Sequence, residues 1–323
     1  MRVVSLLPSA TEIVYALGVE PVGVSHECDY PPPAREVPAV NSSRVDPDAT
    51  SAEINEQVEA AIEEGGVYEI DRERLAALDP DVVVSQGICD VCAVDEVRVR
   101  TAVDDLGLGA EVLTTDPHSL ADVLADVERI GSALGREERA HEVVADLRQR
   151  IAAVGRAVAG VDERPDVAVL DWLDPPMVAG HWVPGTVETA GGRYGLADPG
   201  ERSRPREWAE VRAYDPDILV AAPCGFDLDQ TAANLTDLTA REGWLDLTAV
   251  REGRAYAVDG HHYVNRPGPR LVDALEFFGA LLHPDRFEDP PGEAVRPLSV
   301  LAARDTETRV PLSAVAEDLG LLE

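Results

Sequence analysis

The chain contains no lysine, so its 28 basic residues are all arginine, set against 61 acidic ones for a net charge of −33. A surface this acidic repels nucleic acid and anionic lipid, which excludes both as partners. Its plain meaning is a solvated, halophilic exterior. Four cysteines in 323 residues are too few for a disulfide framework, and reduced thiols are the expectation. No run approaches the roughly 18 apolar residues that a membrane span requires, so no membrane insertion is expected. The N-terminus lacks the basic region, apolar core and cleavage site of a signal peptide. As written, the chain is expected to be cytoplasmic; a start codon further upstream would make it extracytoplasmic. There is no GxSxG elbow, no Walker loop and no GxGxxG after a strand, so the common hydrolase, nucleotide and dinucleotide readings lack support.

What is present is a duplicated α/β plan. An apolar run, Val3 to Leu7, meets Pro8-Ser9-Ala10-Thr11-Glu12, which turns the chain into a helix; a second strand, Pro21 to Ser25, opens onto His26, Glu27, Cys28, Asp29 and Tyr30. The same order recurs downstream. Val3 to Leu7 corresponds to Val167 to Asp171, and PSATEIVYALG (Pro8 to Gly18) to VPGTVETAGG (Val183 to Gly192). LAALDPDVVVSQG (Leu75 to Gly87) corresponds to EVRAYDPDILVAAPCG (Glu210 to Gly225), and GAEVLTTD (Gly109 to Asp116) to GRAYAVDG (Gly253 to Gly260). Each Asp-Pro-Asp reads as a helix end, a proline turn and a buried strand of β-branched residues.

Between the repeats, Ala140, Val143, Val144, Leu147, Ile151, Val154 and Val158 recur at spacings of three and four, which predicts one long amphipathic helix over Arg136 to Val161. The expected fold is therefore two similar Rossmann-like lobes, residues 1–135 and 162–283, joined by a helix at 136–161, with a ligand cleft between them. A lone helical crossing disfavours wide hinge closure. Residues 284–323 are rich in proline with short apolar runs, and predict an appended hairpin and terminal helix.

Most chemistry-bearing side chains fall just past expected strand ends, where open α/β sheets bind ligands. In lobe one these are Pro8, Ser9, His26, Tyr30, Gln86 and His118. In lobe two they are Trp172, His181, Trp182, Phe226, His261, His262, Tyr263 and Arg266. All four tryptophans lie in lobe two, and Trp172 and Trp182 are placed to meet a large planar ligand or to seal the lobe's own core. Cys89-Asp90-Val91-Cys92 is a CxxC able to hold a soft metal ion; Cys28 with His26, or Cys224 from the other lobe, could complete the set, against the alternative of ordinary reduced cysteine. Ser9 and Thr11 offer helix-start N–H groups to an anionic or amide group, or simply cap the helix.

Together, VVSLLPSATEIVYALG, GVSHECDYP, LDPDVVVSQG, the middle helix, DVAVLDW and RPREWAEVRAYDPDILVAAPCGF resemble the helical-backbone substrate-binding proteins of cobalamin and ferric-siderophore ABC importers, over about residues 2 to 283. HECDYP, CDVCAV, WLDPP, AGHWVP, APCGFD and RPGPR are similar to the leaderless, cobalamin-binding branch. The resemblance implies a small-molecule ligand touched by the loops after Leu7, Ser25, Ser85, Asp171, Ala222 and Asp259. It also implies an ABC permease as partner, met through Glu96 and Glu210, with Glu207 as an alternative to Glu210. Ser85-Gln86 and the CDVC loop stand where exported cobalamin binders carry a tryptophan, and no lipobox is present.

The implied function is non-enzymatic capture of a cobalamin-like corrinoid, for uptake or intracellular handling, with no cofactor required. Aromatic faces would meet the ring, backbone N–H groups its amides, and a His or Cys the cobalt. The alternative keeps the fold and makes the ligand a metal ion, haem or ferric siderophore held through His26, Cys28, Cys89, Cys92 or Cys224. The architecture also resembles class II chelatases, in which cleft histidines with acidic partners insert metal into a tetrapyrrole.

Overall fold

The computed structural model describes residues 1–47, 49–88 and 94–301. Lobe one runs β1 (Val3–Ser5), α1 (Pro8–Ala16), β2 (Gly23–Val24), β3 (Asn41–Ser43), α2 (Ser51–Glu63), β4 (Tyr68–Ile70) and α3 (Arg72–Leu78). It continues through β5 (Val82–Gln86), α4 (Glu96–Asp105), β6 (Glu111–Thr115) and α5 (Leu120–Ala133). Its main sheet is parallel, in the order β2-β1-β5-β6, with β3 and β4 forming a separate antiparallel pair.

A single helix, α6 (Glu137–Ala157), leads into lobe two: β7 (Val167–Trp172), β8 (Met177–Val178), α7 (Val183–Thr189), β9 (Arg204–Pro205), α8 (Trp208–Tyr214) and β10 (Ile218–Ala221). Then come α9 (Leu228–Ala233), α10 (Thr236–Thr239), α11 (Thr248–Arg251), β11 (Ala255–Val258), α12 (Leu271–Leu282) and β12 (Val295–Pro297). The sheet order is β12-β11-β10-β7-β8-β9. Its β7-β10-β11 core is parallel and ordered like β1-β5-β6 of lobe one. The four sequence correspondences thus fall on β1 and β7, α1 and α7, β5 and β10, and β6 and β11.

Both Asp-Pro-Asp elements adopt the same geometry. Asp79 ends α3 in the left-handed region at φ 42°, ψ 63°, and Asp215 ends α8 at φ 44°, ψ 67°. Proline then prevents the helix from continuing. The second aspartate of each element fixes the neighbouring strand: Asp81 accepts the backbone N–H of Arg2 at 2.6 Å, just before β1, and Asp217 that of Asp166 at 2.8 Å, just before β7.

Strand alternation divides lobe one's core into two layers, as a parallel sheet covered on both faces requires. Val3, Val82 and Val84 face α1, α5 and α6, while Val4 and Val83 face the α3 and α4 side. The bridging helix is keyed into both lobes, with Ala140, Val144 and Leu147 in lobe one's core and Val154 in lobe two's. It is shorter than the expected 136–161 because the chain turns at Gly160, whose φ of 73° favours glycine.

The bridge does not act alone. Helix α12 sends Leu271, Leu275 and Phe278 into lobe two and Val272 into lobe one. Arg150 of α6 also holds Asp273 at 2.5 Å and Glu276 at 2.6 Å on α12.

Among the described residues, the segment after His283 forms no hairpin of its own. Instead β12 pairs antiparallel with β11, and Ala294, Val295, Leu298 and Leu301 join lobe two's core. A strand whose partner lies some forty residues upstream has no local signature. The expected terminal helix falls mostly on 302–323, outside the described residues. Among the described residues, no helix is long and apolar enough to cross a membrane.

At Asp79 a β-branched side chain would meet the left-handed penalty of about 1–2 kcal/mol, which glycine avoids. Denaturant unfolding at high salt should therefore show Asp79→Val less stable by about that amount and Asp79→Gly close to wild type. Equal losses in both variants would contradict the shared turn geometry.

Candidate ligand site between the lobes

Parallel strands bring their C-terminal loops to one edge of each sheet, and the two edges meet. The loop after β1 touches lobe two where Gly268 packs on the backbone of Ser9. The loop after β2 supplies Asp29 and Tyr30, and the segment after β11 supplies His261, His262, Arg266 and Arg270. A further row of contacts joins the α2 region to lobe two: Gln230 donates to Pro47 O at 2.9 Å, Ser51 N–H to Asn234 at 3.2 Å, and Asn55 to Asp174 O at 2.7 Å.

Charge organises the centre of this seam. Arg266, only 4% exposed, donates to Asp29 at 2.6 Å and lies 3.4 Å from Glu12. Arg270 donates to Glu12 at 2.5 Å, and its guanidinium sits 4.0 Å from the Tyr30 ring centre and 5.2 Å from that of Tyr263. His262 stands between two carboxylates, with Nδ1 2.7 Å from Asp259 and Nε2 2.8 Å from Asp29. The turn that presents it, Gly260–Val264, is a π-type turn whose start is held by Asp259 accepting the N–H of His262 at 2.7 Å.

Three cations, Arg266, Arg270 and His262, thus face three carboxylates, Glu12, Asp29 and Asp259. Hydrogen bonds to Asp259 and Asp29 push His262 up to about 9, so it is an imidazolium at neutral pH. Burial raises the Asp29 carboxyl, but the His262 ring and the Arg266 guanidinium outweigh it and hold Asp29 well below the usual range. Glu12 goes the other way: its burial raises the pKa against the pull of Arg270 and Arg266. Arg266 also donates to His261 Nε2 at 2.8 Å, which makes that nitrogen an acceptor.

At the other edge of the lobe-one sheet, His118 follows β6 and stands beside His181 of lobe two, with ring centres 5.5 Å apart. Between the edges lie the loops after β5, β7 and β10. There Gln86 is buried, Phe226 is 3% exposed, and the half-buried Trp172 ring sits 5.2 Å from Phe226. A cavity of about 630 Å³ opens elsewhere, lined by Arg164, Arg254 and Arg286 near the far end of α6; lobe one contributes nothing to it.

Several residues singled out in the sequence have other duties. Trp182 is 7% exposed and its indole N–H donates to Val264 O at 2.8 Å, so it serves lobe two's own core. Ser9 neither caps α1 nor faces open space, because Pro8 takes the first helical position and Leu7 becomes the cap residue. His26 is bound into lobe one, with Asn41 accepting its backbone N–H at 3.0 Å and lying 3.2 Å from its Nδ1.

Cys28 is buried among Val24 and Ala34, its sulfur 3.0 Å from Thr11 Oγ1, and burial pushes the thiol up to about 12. Cys224 is half-buried after β10, with its N–H on Asp171 O at 2.9 Å. Cys89 and Cys92 lie outside the described residues. Among the described residues, the only His, Cys, Asp and Glu side chains grouped closely enough to share an ion in threes are Asp29, His261 and His262, without a cysteine. Glu96 pairs with Arg100 at 2.6 Å, while Glu210, 51% exposed, accepts the N–H of Glu207 at 3.0 Å.

Glu12, Asp259 and Arg270 carry the seam without having been singled out by residue type, and Asp29 stood out only as one member of the polar cluster after β2. Their one local sign is an acidic residue, Glu12, on the buried face of α1.

The His262 pKa gives stability a definite pH dependence. A folded-state value raised from about 6.5 to about 9 contributes stability that is complete below the unfolded value and lost as pH rises through 9. Allowing for partial exposure, the loss is on the order of 2 kcal/mol. Cys28 adds its own loss above the ordinary thiol range, so the His262 part is the difference between wild type and His262→Gln, measured by denaturant unfolding between pH 6.5 and 9. Parallel curves would contradict the assignment of an imidazolium.

The fold has well-matched relatives. It superimposes on the periplasmic vitamin B12-binding protein of Vibrio cholerae with a TM-score of 0.65 at 22% identity, covering 87% of this chain and 96% of the other. For a periplasmic haem-binding protein of Pseudomonas aeruginosa the TM-score is 0.67 at 24% identity, covering 88% and 93%. In sequence, the chain is 28% identical over 290 residues to a cobalamin-binding protein of Halobacterium salinarum, covering 87% of this chain and 69% of that one. It is 25% identical over 296 residues to an uncharacterized ABC transporter substrate-binding lipoprotein of Bacillus subtilis, covering 89% and 82%. The family described as periplasmic binding protein matches residues 3–261, from the first strand through the bridging helix to the π-type turn that carries His261. By that match, which takes in lobe one, the bridge and lobe two as far as the π-type turn, with the carboxylates of the seam though not its cations, the chain belongs to the periplasmic binding protein family.

Proposed function

We propose that the chain captures a corrinoid between its lobes and acts as the binding component of an ABC importer. The Halobacterium salinarum relative, named for cobalamin, supports this ligand class. The observation that carries the choice is the state of the seam: its buried cations are already paired. Arg266 is committed to Asp29, Arg270 to Glu12, and His262 to Asp29 and Asp259. A haem brings two propionates, whose burial needs free cations. A corrinoid instead presents neutral amides around its ring, which polar groups and backbone can satisfy without new charge. The face assigned to the ligand lies between the two rows of contacts, where the half-buried Trp172 ring, backed by Phe226 at 5.2 Å, offers an aromatic surface. We assign permease docking to the partly exposed Glu96 and the exposed Glu210, through exchange of their present arginine partners.

Titration at high potassium chloride, followed by tryptophan fluorescence and the visible spectrum, tests the choice. Hydroxocobalamin should saturate, and haemin should bind at least about tenfold more weakly, a difference of about 1.4 kcal/mol. Haemin binding as tightly as hydroxocobalamin would overturn the reading.

The pairing argument has a separate test. Glu12→Gln releases Arg270 and should raise haemin affinity roughly tenfold while leaving hydroxocobalamin unchanged. A variant that binds both as wild type does removes the charge argument.

A further inference from the structure

His118 and His181 face each other from opposite lobes, at the edge of the seam away from Asp29. His118 Nε2 lies 3.2 Å from Asp116 Oδ1, so a proton on Nε2 faces a carboxylate and Nδ1 is the nitrogen left for a further partner. That Nδ1 is shut off from water and has no hydrogen-bond partner, and the same holds for Nδ1 of His181. Burial lowers the His181 pKa. Buried nitrogens without partners are costly in a folded protein, and two of them on rings 5.5 Å apart call for an explanation.

Neither ring is there by default. His181 holds a left-handed backbone at φ 52°, with its N–H on Glu201 O and its carbonyl accepting from Gly200 at 2.9 Å. The preceding Gly180 N–H is fixed by Ser203 Oγ at 2.9 Å. On the other lobe, the His118 N–H is fixed by Asp122 at 3.0 Å. Strained, over-determined backbone of this kind aims a side chain.

We propose that His118 and His181 form a site for a late first-row transition-metal ion of the Zn²⁺ type, bridging the lobes through their Nδ1 atoms. Imidazole suits these ions, and a ligating histidine commonly donates its other N–H to a carboxylate, for which Asp116 stands 3.2 Å from His118 Nε2. Metal–nitrogen bonds of about 2.0–2.1 Å at a tetrahedral angle place ring centres about 5 Å apart, close to the spacing found here. Two protein ligands leave the remaining positions to water or to a donor from a molecule held between the lobes. The Asp29, His261 and His262 group does not compete, because His262 is held at both ring nitrogens and Arg266 lies 2.6 Å from Asp29. The metal site does not depend on the corrinoid reading.

The test uses the full, tag-free, reduced chain, stripped with chelator and titrated with zinc chloride at high potassium chloride. Calorimetry should give saturable binding near one ion per chain, with a raised unfolding temperature. Cobalt chloride should give a tetrahedral visible spectrum without a thiolate charge-transfer band. His118→Gln and His181→Gln should each weaken Zn²⁺ binding at least about 100-fold. Asp116→Asn, at an exposed position that does not threaten folding, should weaken it about 10- to 100-fold. The proposal is overturned by absence of Zn²⁺ binding, by binding that both histidine variants retain, or by binding lost only in the Cys89→Ser/Cys92→Ser double variant.

Discussion

Arg266 crosses from one lobe into the other with 4% of its surface in water, and the arrangement of the seam depends on what it finds there. A buried guanidinium is tolerable only when carboxylates meet it and its remaining N–H groups are satisfied. Lobe one supplies Asp29 and Glu12, and lobe two supplies the acceptor nitrogen of His261. Asp29 in turn holds His262, and Glu12 holds Arg270 between two tyrosine rings. Removing one member would leave a buried charge without its partner, so the network behaves as a unit.

The seam and the bridge act in the same direction. Helix α6 is packed into both cores, α12 crosses beside it, and Arg150 ties the two together. Two helices at the back and a paired ion network at the strand ends leave little freedom for wide hinge opening. In the proposed function, capture depends on a nearly preformed surface whose cations, already spent on internal carboxylates, favour a neutral, amide-bearing ligand over one that brings its own acids.

The duplicated fold was legible because its signals are local. Asp79-Pro80-Asp81 and Asp215-Pro216-Asp217 specify a turn, a buried strand and the registry of the next strand within a few residues. The seam was not, because Glu12 and Arg270 are 258 residues apart, and nothing near either reveals the other. Residue type also misled where burial decides. Trp182 and Cys28 have the chemistry of ligand contacts, yet one completes a core and the other is an enclosed thiol beside Thr11. Pro8 shifted the start of α1 ahead of Ser9, and β12 found its partner on a strand well before it.

The central claim is that Asp29 and Arg266 hold the lobes together as a coupled pair. A double-mutant cycle with Asp29→Asn and Arg266→Met, read by denaturant unfolding at high salt, measures that coupling directly. The two substitutions should be strongly non-additive, with the double variant recovering on the order of 2–3 kcal/mol relative to the sum of the single losses. Losses that add within about 0.5 kcal/mol would show that the two residues act independently, and would contradict the account.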